Sequence, residues 1–160
     1  MVQDSARRVV SALKERGLKL AIAESVTGGS LSAAVVAVAG ASAVLDEALI
    51  PYSNASKMAR LGVSQATLEE YGAVSEQAAF EMCKGVRELA GADIGVSVTG
   101  IAGPDGGSDE KPVGLVWVGI CADNVCVAHK LSLAGDRNTI QTRTAMYVFD
   151  IIRKYLLNIY

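Results

Sequence analysis

The stretch Ala23-Glu24-Ser25-Val26-Thr27-Gly28-Gly29-Ser30 holds the residues of this chain best suited to chemistry. It follows the apolar run Leu18 to Ala23 and precedes a run of small apolar residues, Leu31 to Ala39. It therefore reads as a strand, a sharp turn rich in hydroxyls and glycine, and the start of a helix. A hydroxyl at such a turn can be held out for attack. A helix start also presents unpaired N–H groups and the positive end of a dipole. On that ground the amides near Thr27, Gly28 and Gly29 are expected to stabilise an oxyanion. A nucleophilic serine needs a base. The single histidine, His129, lies inside the last predicted strand, where a surface or packing role is expected, and one histidine cannot build a multi-histidine metal site. The remaining base of suitable character is a lysine, and Lys57 lies just after the second predicted strand. To work at neutral pH its pKa must fall from ~10.4 to about 7–8. That shift corresponds to about 4 kcal/mol of destabilisation of the ammonium. Burial beside a helix N-terminus would supply it. The plain alternative makes Ser25 a helix cap, Lys57 an exposed helix lysine and the glycines turn makers.

A second cluster is Gly100-Ile101-Ala102-Gly103-Pro104-Asp105-Gly106-Gly107. No GK[ST] follows, so it is not a Walker A loop, and it is not a dinucleotide fingerprint either, although Gly100, Gly103 and Gly106 stand at suggestive intervals. It is either a cradle of amides for a phosphate or a tight crossover to a hairpin, Asp105-Gly106 being a common turn pair. Arg137, in Gly135-Asp136-Arg137, could clamp a phosphate through two N–H bonds or pair with Asp136. Tyr52 could orient a ligand through its hydroxyl or be a half-buried strand tyrosine.

These residues need elements to position them. Ser5 to Arg16 has helical apolar spacing and ends at Gly17, a natural helix terminator. Leu18 to Ala23 predicts a buried strand, Gly28 to Val38 a helix of small side chains, and Glu47 to Tyr52 a second strand weakened by Pro51. Short helices are expected over Asn54 to Arg60, with Asn54 as cap, and Ser64 to Glu70, with Ser64 as cap. A longer one is expected from Ser75, its cap, to about Ala90. Asp93 to Thr99 alternates as a strand with Ile94, Val96 and Val98 on one side. The loop Gly100 to Gly114 is long for a compact domain, which marks it as functional. Val113 to Ala122 and Val125 to Leu133 form a strand pair around Asp123-Asn124, and Thr139 to Leu157 a terminal helix. The alternation predicts an α/β fold: a three-layer α/β/α domain with a mixed, mostly parallel sheet of about five strands. Ligands collect outside the carboxyl ends of parallel strands. The segments Glu24 to Ser30, Tyr52 to Lys57 and Thr99 to Gly114 each follow a strand, so parallel strands would bring all three to one crevice.

Composition narrows the class. A chain of 160 residues with 51% hydrophobic and 20% charged residues is expected to form one domain around a sizeable core. A net charge of −2 carries no basic field for nucleic acid or an anionic membrane surface. The run Leu31 to Leu45 is broken by Ser32, Gly40 and Ser42 and is too short to span a bilayer. Residues 1–17 lack the apolar core of a signal peptide, so a cytoplasmic location is expected. Cys83, Cys121 and Cys126 include no CxxC pair; the expectation is buried small hydrophobes, with Cys121 and Cys126 able to face each other across a hairpin.

Taken together these segments resemble the C-terminal domain family of the competence/damage-inducible protein CinA, whose stand-alone form is a nicotinamide-nucleotide amidase. The matching stretches are Ala23 to Gly29, Tyr52-Ser53-Asn54 with Lys57, Gly72 to Glu76, Thr99 through Gly114, and Gly135-Asp136-Arg137. The match spans nearly the whole chain in order. It implies hydrolysis of the carboxamide of nicotinamide mononucleotide to nicotinate mononucleotide and ammonia, with no metal and no cofactor. The residues associated with activity in that family carry over to Ser25, Ser42, Tyr52, Lys57, Thr99 and Arg137. Ser25 and Lys57 look like a serine–lysine pair, although Ser42 also belongs to the family's polar set and stands as a second candidate nucleophile. Phosphate is expected on Arg137 and on the amides of the Gly100 to Gly107 loop, Gly100 and Gly103 among them, with Tyr52 and Thr99 positioning the ring or ribose. Val26 replaces a common cysteine, and Pro51 stands where a hydroxylated residue is usual. The larger N-terminal domain of full-length CinA is not expected in this chain. The resemblance also implies a homo-oligomer and a nucleotide as the small-molecule partner. The alternative function is a pyridine-nucleotide-binding module of the CinA type without catalysis.

Overall fold

The computed structural model describes residues 1–159. Five strands form one sheet: β1 (Leu20–Glu24), β2 (Leu45–Leu49), β3 (Ile94–Gly100), β4 (Leu115–Ala122) and β5 (Val125–Ser132), in the order β2-β1-β3-β4-β5. β1 runs parallel to both β2 and β3, whereas β4 is antiparallel to β3 and β5 to β4. Six helices complete the fold: α1 (Val2–Arg16), α2 (Ser30–Val36), α3 (Asn54–Leu61), α4 (Gln65–Glu70), α5 (Glu76–Ala90) and α6 (Arg137–Leu156). The α/β class and the mixed five-stranded sheet agree with the sequence.

The period of two along each strand sorts side chains between two layers. Leu20, Ile22, Ile94, Val96, Val98, Val116, Val118 and Ile120 face one core with α1, α2 and α6, where Leu13, Leu31, Phe149 and Ile152 are buried. Ala21 and Ala23 face the other with Met82 and Val86 of α5 and Leu61 of α3. That second face is built of small residues, so α5 lies close against it. A Cβ placed on Gly119 would stand 2.6 Å from the Ala79 carbonyl oxygen. From β1 the chain turns aside to β2, then crosses back to β3 on β1's other flank. The carboxyl end of β1 is therefore a switch point, where open α/β sheets form their crevice.

Several boundaries differ from expectation. β2 covers Leu45–Leu49 rather than Glu47 to Tyr52, because the chain leaves the ladder before Pro51, which has no N–H to offer. α2 is shorter than Gly28 to Val38, since Gly28 (φ 59°) and Gly29 (φ 98°) are left-handed and outside any helix. α3 is capped by Ser53, not Asn54: the Ser53 hydroxyl accepts from the Ser56 amide at 3.1 Å. α1 begins at Val2 rather than Ser5. α6 begins at Arg137 rather than Thr139, because the Asp136 carboxylate accepts from the Thr139 amide at 2.8 Å and caps the helix. Cys121 and Cys126 are register partners across the β4–β5 hairpin and join as a disulfide, whereas only Cys83 is a free buried thiol. No helix among the described residues is long and apolar enough to cross a membrane.

Candidate active site

Ser25 follows the last residue of β1. Its amide donates to the Val98 carbonyl of β3 at 3.1 Å and its own carbonyl accepts from the Gly28 amide at 3.1 Å, so its backbone is held on both sides. The side chain is thereby delivered to Lys57, whose Nζ lies 3.3 Å from Ser25 Oγ. Lys57 sits in the first turn of α3 and is only 1% exposed. Its Nζ also donates to the carbonyls of Pro51 at 3.0 Å and Tyr52 at 2.9 Å. Burial disfavours the ammonium and pushes the Lys57 pKa below the ordinary lysine value. The alternative of an exposed helix lysine is thus excluded by the structure.

A cleft of about 200 Å³ opens beside this pair, lined by Ser25, Val26 and Tyr52, by Gly100 to Gly103, Asp105 and Gly106, and by Arg137. The three segments that follow parallel strands do converge there. Larger hollows of about 460 and 520 Å³ lie between α1 and α6 and beside α5 and β5, but neither sets a hydroxyl against a buried amine. Arg137, in the first turn of α6, anchors one nitrogen on the Gly103 carbonyl at 2.8 Å and lines the cleft; it does not pair with Asp136, which is engaged as the helix cap. Tyr52 is 61% exposed at the mouth of the cleft, on a loop rather than a strand. Among the described residues no three His, Cys, Asp or Glu side chains gather closely enough to share a metal ion.

Other expected residues are placed differently. Ser42 is exposed on the short 3-10 turn Ala41–Ala43 that leads into β2, at the amino end of the sheet. It lines a separate hollow with Val36, Val38 and Leu45 and does not join Ser25. Thr99 is buried and its hydroxyl donates to the Ala73 carbonyl at 2.7 Å, which ties β3 to the turn before α5 and takes its proton away from any ligand. Thr27 is buried, and its hydroxyl donates to Glu24 at 2.6 Å. The Gly28 amide is engaged by Ser25 and the Gly29 amide by Glu24 at 3.0 Å. The expected oxyanion donors near Thr27 to Gly29 therefore reduce to the Thr27 amide, joined by that of Val26, neither of which donates to a protein group among the described residues. His129 is half-buried on β5 with its ring edge-on to Tyr147; burial holds its pKa below the usual value.

Three contributors escaped the sequence. The carbonyl of Pro51 helps hold Lys57. Glu24 fills the start of α2 with its carboxylate. Gln141 of α6 donates to the Val26 carbonyl at 3.0 Å. Only the last had a legible signal: Gln141 lies one helical turn after Arg137, on the same face.

The sheet order defines an α/β/α domain, with a serine hydroxyl set against a buried lysine at its switch point. The model of the CinA C-terminal domain matches residues 2–156, and the chain belongs to that family. A CinA-like protein of Kosmotoga olearia is 50% identical over 149 residues, covering 93% of this chain and 36% of that protein. A putative competence-damage inducible protein of a Thermoanaerobacter species is 51% identical over 94% of this chain and 37% of its own length. The chain thus spans about a third of the length of these curated relatives. Among solved structures, a CinA superfamily protein from Klebsiella pneumoniae superposes with a TM-score of 0.95 at 34% identity, covering 99% of both chains. The competence/damage-inducible protein of Agrobacterium tumefaciens gives a TM-score of 0.93 at 38% identity, covering 97% of this chain and 94% of that one.

Proposed function

We propose that the protein hydrolyses the carboxamide of nicotinamide mononucleotide to nicotinate mononucleotide and ammonia. The observation that carries this reading is the environment of Lys57 Nζ. A neutral amine has two N–H bonds and one lone pair. In the neutral form the carbonyls of Pro51 and Tyr52 take those two N–H bonds, which leaves the lone pair for the Ser25 hydroxyl, whose Oγ lies 3.3 Å from Nζ. Lys57 takes the hydroxyl proton as Ser25 Oγ attacks the amide carbon. The oxyanion accepts from the Val26 and Thr27 amides, each such donor lowering the barrier by about 3–4 kcal/mol in comparable sites. The Lys57 ammonium then protonates the departing nitrogen, ammonia leaves, and a water deprotonated by Lys57 cleaves the acyl ester.

The choice of nucleotide rests on the family resemblance and on charge. Arg137 and the backbone of the Gly100–Gly106 loop offer a site for phosphate at one part of the cleft. The cleft is smaller than the ~300–1,000 Å³ of enclosed ligand sites, so the reacting end enters and the rest of the nucleotide lies at the mouth beside Tyr52. The test is ammonia release from nicotinamide mononucleotide by the wild type and by Ser25→Ala. Turnover abolished in a folded Ser25→Ala protein is expected; full activity there would overturn the nucleophile. Saturable nucleotide binding by the wild type without turnover would instead support a non-catalytic binding module.

A further inference from the structure

We infer that Glu24 is a positioning residue for Ser25: its carboxylate, rather than any substrate group, occupies the amino end of α2 and locks the turn that presents the nucleophile. The inference rests on the reading of Ser25 as a nucleophile. Glu24 is fully buried. One oxygen accepts from Thr27 Oγ1 at 2.6 Å and from the amides of Gly29 at 3.0 Å and Leu31 at 3.1 Å. The other accepts from the Ser32 amide at 2.8 Å and from the Ser32 hydroxyl. All five donors belong to the segment immediately after Ser25. A buried carboxylate is tolerable only when so paired, and here the pairing curls residues 27–32 around one side chain. Ser25 is the link between that curl and the β1–β3 ladder, so the direction of its Oγ toward Lys57 depends on the curl staying closed.

Two consequences follow for the chemistry. The positive end of α2 is neutralised before any ligand arrives, so it cannot serve the oxyanion or a phosphate. Negative groups of a ligand are left to the Val26 and Thr27 amides and to Arg137. Gln141 contributes to the same arrangement, because its bond to the Val26 carbonyl turns the Thr27 N–H of that trans peptide away from α6. The charge state of residue 24 also matters. Every neighbour of the Glu24 carboxylate is a donor, so an amide in its place would set N–H against N–H.

The test uses a fluorophosphonate probe on the whole protein. Ser25 Oγ attacks phosphorus, fluoride leaves, and Lys57 receives the hydroxyl proton. Glu24→Gln is expected to slow labelling, and kcat where ammonia release is seen, about 10–100-fold, the scale of a misplaced reacting group. KM and the Kd of nicotinate mononucleotide should stay within about twofold. Labelling at the wild-type rate would overturn the inference, and so would a parallel loss of nucleotide binding. If Glu24→Gln does not fold, Ser32→Ala and Thr27→Val each remove one hydroxyl donor and leave Glu24 in place. Each should slow labelling by about 3–10-fold, and wild-type labelling in both would overturn the inference. A wild type that labels on Ser25 but releases no ammonia from nicotinamide mononucleotide refutes the amidase reading alone. One that does not label on Ser25 refutes this inference.

Discussion

The proposed activity rests on a buried lysine, Lys57, whose pKa burial pushes down, and its titration has a definite sign. Burial lowers the folded-state pKa of Lys57 below that of the unfolded chain. Between those two values the unfolded state binds more protons than the folded one, so stability rises with pH across that window. Below the folded pKa the burial penalty on the ammonium is present in full. Urea midpoints compared between wild type and Lys57→Met from pH 7 to 11 should show the wild type gaining on the variant as pH rises. The same titration governs catalysis, since only the neutral amine can take the Ser25 proton. The acid limb of kcat/KM should therefore climb with pH through the lowered Lys57 pKa, and Lys57→Met should lose about 10²–10⁴-fold in kcat. A kcat/KM that fell with rising pH over that range would contradict the neutral-base role. The meeting of this pair was legible beforehand: one histidine in the chain pointed to lysine as the partner of Ser25, and Lys57 follows the next strand, β2. The engagement of Thr27 and Thr99 was not, because a hydroxyl's partner is decided by what folds against it.

At the scale of elements, the distance from Lys57 to Ser25 is set by how α3 and α5 seat under the sheet. α5 approaches α3 so closely that a Cβ on Gly85 would stand 1.9 Å from the Leu61 carbonyl oxygen, at the end of the helix that carries Lys57. Gly85→Ala must push α3 outward. We expect about 1–3 kcal/mol of destabilisation, read from the urea midpoint, together with a lower kcat measured well below the new midpoint. α5 is itself fixed at its start by Ser75, whose hydroxyl accepts from the Ala78 amide at 3.1 Å and donates to the Gly72 carbonyl at 2.8 Å. Ser75→Ala should cost about 1 kcal/mol with kcat unchanged. The Ser75 cap could be read from its position before Glu76. The Gly85 contact could not, since an isolated glycine in a helical pattern does not name its neighbour.

Across the whole molecule, the site is assembled from the first strand and the last helix. Arg137 reaches back to Gly103 and Gln141 to Val26, so the opening turns of α6 join the glycine loop to the turn that carries Ser25. A hydrogen bond from a guanidinium to phosphate contributes about 1.5–3 kcal/mol. Arg137→Ala should accordingly raise KM for nicotinamide mononucleotide about 10–100-fold and leave kcat within a few-fold. Turnover of nicotinamide riboside, which lacks the phosphate, should be nearly insensitive to the same change in steady-state assays. Equal losses on both substrates would place Arg137 in scaffolding rather than in phosphate recognition.

By itself the sequence determined the layers and the chemical inventory. Apolar periods of two and of 3.6 residues, caps such as Ser64 and Ser75, and glycines after helices are local signals, and they persist whatever the chain later packs against. The sequence also pointed to lysine as the partner of an activated serine, because its single histidine lies inside a strand. Tertiary structure alone decided which residues meet. The parallel pairing of β2, β1 and β3 brought Ser25, Lys57 and the glycine loop to one end of the sheet and left Ser42 at the other. It also gave the amino end of α2 to Glu24, a choice set by three-dimensional reach and burial that no spacing along the chain encodes.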